Sequence, residues 1–457
     1  MENFTLSFIR TIRRVSEANQ DSVEVLHQLK RCLLDWTGVT CAGASMIGSK
    51  FDHLMDIAGD GGCSTFLSKR GVDLVSAASI NGFLSHIMEL DDGHRFGMLH
   101  LESPIISAMI AVAQKERMSY PQFVRGVIAG YQATVQIARY LQPYHKQKGF
   151  HATGTCGAIG VAAAIATAFD FTDEEFENAI GAATTRASGL LSVIDSPSEM
   201  KPYNIAGAVE VGIRAAYLAK TGLRGPTDPL LGKRGFLRVY CPDSLLNADL
   251  EMADKPEILN IYFKPYVSCR HCHAPAEAAL NLRSRYGFSL NSIKDIRVET
   301  YLLAIGGHDS KEIHSISAAK MSTPYCVAVS LLRGSCGLDS FTNEFIEDTE
   351  VQRIMNRIRV VEDPALTRVS PGKRGARVII TLENGNQYFD FVENPLGEPE
   401  HPMSDDVLCE KYDELMSFSA ISLTDSTKIK NLIFGIDSSF YQFLQELQRV
   451  CCREKKN

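Results

Sequence analysis

Seventeen consecutive residues without a charge, TGTCGAIGVAAAIATAF at 153–169, constrain this chain more than any other feature. A stretch like this either crosses a bilayer or is buried inside protein. A spanning helix needs about 20 predominantly apolar residues, and this run is shorter and dominated by Ala and Gly. Burial within a soluble helical core is therefore the expected outcome. A second small-residue run, IAGAVEVGIRAA at 205–216, has the same character. Small side chains let helix axes approach closely, so both runs predict a tightly packed helical interior rather than a surface layer.

The chain has 457 residues, of which 45% are hydrophobic and 22% charged. That composition fits a soluble globular protein, and the length predicts two or three domains. A net charge of −7 offers no basic footprint for nucleic acid or an anionic membrane, so neither is an expected partner. An anionic substrate would need a positive field built locally. The N-terminal stretch has no long apolar core and does not read as a secretory signal. The twelve cysteines are scattered, which predicts reduced thiols and a cytoplasmic location rather than a disulfide framework.

From the start to about residue 250 the pattern is helical almost throughout. Near 256 it changes: IKDIRVETYLLAI and RIRVVED carry the short Ile/Val alternation of strands. ARVIITLENGNQYFDFVE predicts a hairpin around Asn384-Gly385. After a Pro/Gly-rich exit, Ser404 is placed to cap a helix from Asp405. The fold expected is mainly α: a large all-helical domain (1–255 plus 402–457) with a smaller inserted α+β lid domain (256–401).

Five stretches could carry chemistry. SHIMELDDGHRFGMLHLESP (85–104) packs His86, Glu89, Asp91, Asp92, His94, Arg95 and His100 together, a density suited to proton transfer at a cleft lip. Gly93 is expected to end the preceding helix there. A solvated, helix-capping turn and a divalent metal site from Asp91, Asp92 and His94 are the alternatives. In GFHATGTCGAIG, His151 precedes two threonines at a Gly-rich helix start, a possible anion corner without P-loop spacing. Lys201 in SEMKPYNIAGAVEVG reads as a snorkelling lysine unless other cations face the same pocket. In YFKPYVSCRHCHAPAEAAL, Cys269-x-x-Cys272-His273 matches haem, redox and zinc patterns at once. Each lacks a partner, a compartment or a second half, since a closed zinc site needs four ligands. Tyr325, opening the apolar helix of KMSTPYCVAVSLLRG, can donate a proton only if its hydroxyl lies in the pocket.

Taken together, HIMELDDGHR, GFHATGT, MKPYNIAGA, FKPYVSCRHCHAPAEAA and TPYCVAVSLLRG resemble the MmgE/PrpD family in order and approximate spacing. Its members include 2-methylcitrate dehydratase, cis-aconitate decarboxylase and iminodisuccinate epimerase. The resemblance implies a helical domain with an α+β lid, a homodimer, and no metal or organic cofactor. It assigns catalysis to His100, His151, Tyr325 and Lys201. It places Asp91, Asp92, Lys264 and Cys269 as substrate contacts, and His273, one helical turn past Cys269, is expected to join them. Two departures stand out: Gly93 where the decarboxylase has Thr, and Cys269 where it has His.

The expected activity is a cofactor-independent lyase acting on a small di- or tricarboxylate through a carbanion beside a carboxylate. Dehydration of a 2-hydroxy tricarboxylate is placed slightly ahead of decarboxylation because of Cys269. An epimerase or isomerase of a dicarboxylate is the alternative, and a non-enzymatic metal-binding helical protein the distant one.

Overall fold

The computed structural model describes residues 3–66, 71–194, 198–246 and 254–451. The chain divides into two compact units. One comprises Met1–Leu191, Met200–Ile261 and Ser404–Asn457; the other comprises Ser192–Glu199 and Tyr262–Met403.

The first unit is helical, as the small-residue runs require. The Ala152–Ala168 helix has all 17 residues buried and packs against the Tyr120–Leu141 and Lys201–Ala219 helices. Close approach explains the glycines. A Cβ on Gly160 would sit 1.7 Å from Thr134 Oγ1, and one on Gly212 would sit 2.4 Å from Val161 Cβ. No helix of the described residues is long and apolar enough to cross a membrane. The elements begin where side chains can satisfy their first amides. Asp73 accepts from Val75 and Ser76 at the start of Leu74–Ile87. Thr172 and Glu175 form a reciprocal capping pair at Asp173–Thr184. Ser404 caps Asp405–Phe418 through the Val407 amide.

One boundary differs from the sequence expectation. The Leu74–Ile87 helix ends six residues before Gly93, with Met88 as its cap and Glu89 in the left-handed region at φ 55°. A left-handed non-glycine residue is uncommon and costs free energy. Here the turn that Glu89 makes brings its carboxylate back to His86 and on to Lys201. A short strand at Asp60–Cys63 was also not anticipated.

The second unit holds a four-stranded mixed sheet in the order Ile358–Glu362, Ile293–Thr300, Ala376–Leu382, Gln387–Val392. The first pair is parallel, with Ile296 opposite Ile358. The other two pairs are antiparallel, with Val298 opposite Val378 and Ile379 opposite Phe389. The predicted hairpin is thus present, turning through Gly385 at φ 85°. Along Ala376–Leu382 every second residue is buried, the period-2 signature of a sheet with one face covered. The His273–Arg285 helix packs on the last two strands.

Candidate active site

The turn after Leu74–Ile87 gathers three histidines. His86 is fully buried; its Nδ1 lies 2.8 Å from Asp91 Oδ2 and its Nε2 3.4 Å from Glu89 Oε1. The His100 ring stands edge-on to it at 4.5 Å, and the His151 ring lies at 6.2 Å. His100 Nδ1 is 2.6 Å from the Asp92 carbonyl, which can only accept, so this nitrogen carries the hydrogen and exchange falls to Nε2. Asp91 Oδ2 lies 3.3 Å from the same Nδ1 and favours positive charge on the ring once it takes a second proton. Ser103 Oγ donates to Asp91 Oδ2 at 2.7 Å, fixing that carboxylate.

His151 caps the Ala152–Ala168 helix. The Asn204 amide donates to its Nδ1 at 3.2 Å, leaving the ring hydrogen on Nε2. Burial, the Lys201 charge and the two neighbouring histidines push its basicity well below the usual range, so it stays neutral. Lys201, opening the Lys201–Ala219 helix, places Nζ 2.5 Å from Glu89 Oε1 with its side chain 13% exposed. The cluster thus combines a histidine backed by a carboxylate, a neutral histidine and an ammonium.

The anion corner expected from the threonines is differently used. Thr153 Oγ1 accepts from the His100 amide at 3.1 Å, and Thr155 Oγ1 meets His145 Nε2 at 2.8 Å. These hydroxyls position histidines.

Asp91 and Asp92, expected to touch substrate, are both fully buried beneath this cluster. Asp92 Oδ1 accepts from the Leu101 and Glu102 amides, capping the Glu102–Glu116 helix. Burial outweighs those bonds and, with the Asp91 and Asp35 charges, raises the Asp92 carboxyl to about 7. Glu102 is pushed well above the carboxylate range by burial and by Asp35, Asp92 and Asp91. Lys411 Nζ lies 2.6 Å from Asp35 Oδ1 and donates to the Leu90 carbonyl. His94 is drawn away: it accepts from the Gly97 amide at Nδ1 and meets Glu257 at 3.2 Å. The metal set Asp91, Asp92 and His94 therefore does not converge; around this turn His86, Glu89 and His100 do.

In the α+β unit, Lys264 is fully buried. Cys269 caps the short turn Arg270–Cys272, its amide bonded to the Lys320 carbonyl at 2.8 Å. Its Sγ lies 3.9 Å from His308 Nε2, a residue the sequence reading missed. His273 Nε2 is 3.2 Å from the Ser268 carbonyl and its ring stands edge-on to Tyr266. The Tyr325 hydroxyl donates to the Ser340 carbonyl at 2.7 Å and the residue is fully buried. That hydroxyl ties its helix to a neighbouring turn, an occupation that competes with proton transfer. The Arg270 guanidinium is paired with Glu398, both buried.

Comparison with known proteins bears on this arrangement. A cis-aconitate decarboxylase of Aspergillus terreus is 26% identical over 91% of this chain and 89% of its own length. That of Mus musculus is 22% identical over 90% and 86%. A 2-methylcitrate dehydratase of Cupriavidus necator is 27% identical over 52% of each chain. Residues 12–248 match the MmgE/PrpD N-terminal domain and residues 266–430 the MmgE/PrpD C-terminal domain. Together these matches span most of both units, and the chain belongs to the MmgE/PrpD family.

Proposed function

We propose that this chain is a lyase that removes CO2 from a small unsaturated tricarboxylate of the cis-aconitate kind. The observation that carries the reading is the His100–Asp91–His86–Glu89–Lys201 network, in which an exchangeable imidazole nitrogen and an ammonium share one cluster. Similarity along nearly the whole chain to cis-aconitate decarboxylases supports decarboxylation over dehydration, reversing the slight preference that Cys269 suggested.

In the reaction, the bond to one carboxylate breaks and CO2 departs. The electron pair left on carbon delocalises through the adjacent double bond toward a remaining carboxylate. Lys201 holds a carboxylate and stabilises that charge. His100 delivers its Nε2 proton to carbon, and Asp91 steadies the imidazolium before transfer. His151, neutral with hydrogen on Nε2, donates a hydrogen bond to substrate oxygen. His86, held by Asp91 and Glu89, is a positioning residue. Acid and cation come from the protein itself, so this reading needs no organic cofactor. A homodimer and a cytoplasmic location belong to the same reading; light scattering on the purified chain checks the first.

The test is incubation with citrate, 2-methylcitrate, cis-aconitate and iminodisuccinate, followed by NMR in deuterated water. Release of CO2 from cis-aconitate with one deuterium in the product is expected. Loss of water from 2-methylcitrate with no CO2 would replace decarboxylation by dehydration. Deuterium wash-in without elimination would replace both by epimerisation.

A further inference from the structure

We propose that Cys269, His271 and His308 form a binding site for a thiophilic divalent cation, of which Zn2+ is the type. The three ligand atoms lie within 4.8 Å of one another. A tetrahedral zinc with bonds of about 2.3 Å to sulfur and about 2.0 Å to nitrogen sets S and N about 3.6 Å apart. The separation of Cys269 Sγ and His308 Nε2 is 3.9 Å, so a shift of a few tenths of an ångström closes the pair on an ion.

The orientation of both rings suits ligation. His308 Nδ1 donates to the Met321 carbonyl at 2.9 Å, which turns Nε2 toward Cys269. Its backbone is held on both sides, its amide by Ile305 O and its carbonyl by the Thr323 amide, each at 2.8 Å. His271 Nδ1 lies 2.7 Å from the buried Tyr301 hydroxyl. A ligating histidine ordinarily places its other nitrogen on such an oxygen, which fixes tautomer and ring angle. The two imidazoles lie 4.8 Å apart between centroids.

One thiol and two imidazoles select zinc-like ions over magnesium or calcium, and three protein ligands leave a fourth position for water or an anion. Cys269 is only half-buried, so an ion can reach it, while His271 and His308 are 7% and 2% exposed. The other converging group, His86, Glu89 and His100, carries no such proposal, because the Lys201 ammonium already lies 2.5 Å from its carboxylate. Cys272, one turn along, takes the Thr323 hydroxyl and also hydrogen-bonds His308, so the half-buried Cys409 on the Asp405–Phe418 helix serves as the control thiol.

The full chain is stripped with a chelator, checked by circular dichroism, and titrated with Co2+ alone, then with Zn2+ as competitor. One Co2+ per chain is expected, with a sulfur-to-cobalt charge-transfer band that Zn2+ erases. C269S should lose the band, C409S should keep it, and Y301F should weaken binding at least about tenfold. Absence of stoichiometric Co2+, binding without the band, or a band that survives C269S would overturn the site. The readout is spectroscopic, so its failure is independent of any failure of the lyase reading.

Discussion

His100 and His151 lie in one cluster with opposite hydrogen placements, because a carbonyl faces Nδ1 of the first and an amide faces Nδ1 of the second. If His100 is the proton carrier, H100Q should lower kcat on cis-aconitate by roughly two to four orders of magnitude with KM little changed. Near-normal turnover would sink the assignment. Lys201 should behave differently: K201M should raise KM at least about tenfold, the loss of one charge-assisted contact. Because K201M also strands the Glu89 carboxylate, the pair E89Q/K201M should recover stability without recovering KM. If KM recovered too, Lys201 would be merely structural. At this scale the sequence was partly legible. The density of ionisable residues between 85 and 104 marked the right turn, and the His86/Glu89 spacing hinted at a shared face. That Asp91 and Asp92 lie sealed beneath the histidines was not legible, since burial of a carboxylate depends on distant partners such as Lys411. His308 carried no local signal at all, being 39 positions from the thiol it faces.

Helices packed at van der Waals distance leave no room for a methyl group, and the Ala152–Ala168 helix is the sharpest case. On propensity alone, Gly160→Ala should stabilise a helix by about 1 kcal/mol. The added Cβ would instead fall 1.7 Å from Thr134 Oγ1, which itself donates to Gly130 O. Overpacking costs about 1–3 kcal/mol, so G160A should lower the melting temperature, and G160A/T134A should restore most of it. A single variant more stable than the parent would refute the close approach. This packing was readable beforehand because composition reports it directly: Ala and Gly without charge fit only where neighbours are close. The hairpin and the Ser404 cap were readable for a similar reason, their signals lying within a few residues. The end of the Leu74–Ile87 helix was not, because Gly93 is the strongest local breaker, whereas the actual break at Glu89 is set by His86 and Lys201.

The formal charge of −7 counts every carboxylate as ionised, yet Asp35, Asp92 and Glu102 are all raised, first by burial. A carboxyl raised in the folded chain keeps its proton after the unfolded chain has lost it. The native state then binds more protons, and stability falls as pH rises from about 4, where a free carboxyl titrates, through about 7 for Asp92, with Glu102 raised in the same direction. Glu257 has the opposite sign. Burial alone would raise it, but His94, Asn260 and Arg139 outweigh that and bring it to about 2. Its contribution, roughly 3 kcal/mol, is present above about 4.3 and is lost as pH falls toward 2. The two effects predict maximal stability on the mildly acidic side, between these limbs. Gln matches protonated Glu in shape, and at position 102 its oxygen can still accept from the Asp92 amide, 3.2 Å from Glu102 Oε1. E102Q should therefore flatten the alkaline limb by up to about 1.4 kcal/mol per pH unit and leave the acid limb unchanged, whereas E257Q should do the reverse. Melting temperatures from pH 3 to 9 for the three proteins separate these outcomes. Parallel curves for E102Q and the parent would mean that Glu102 is ionised in the folded chain and that the buried carboxylates hold no shared protons.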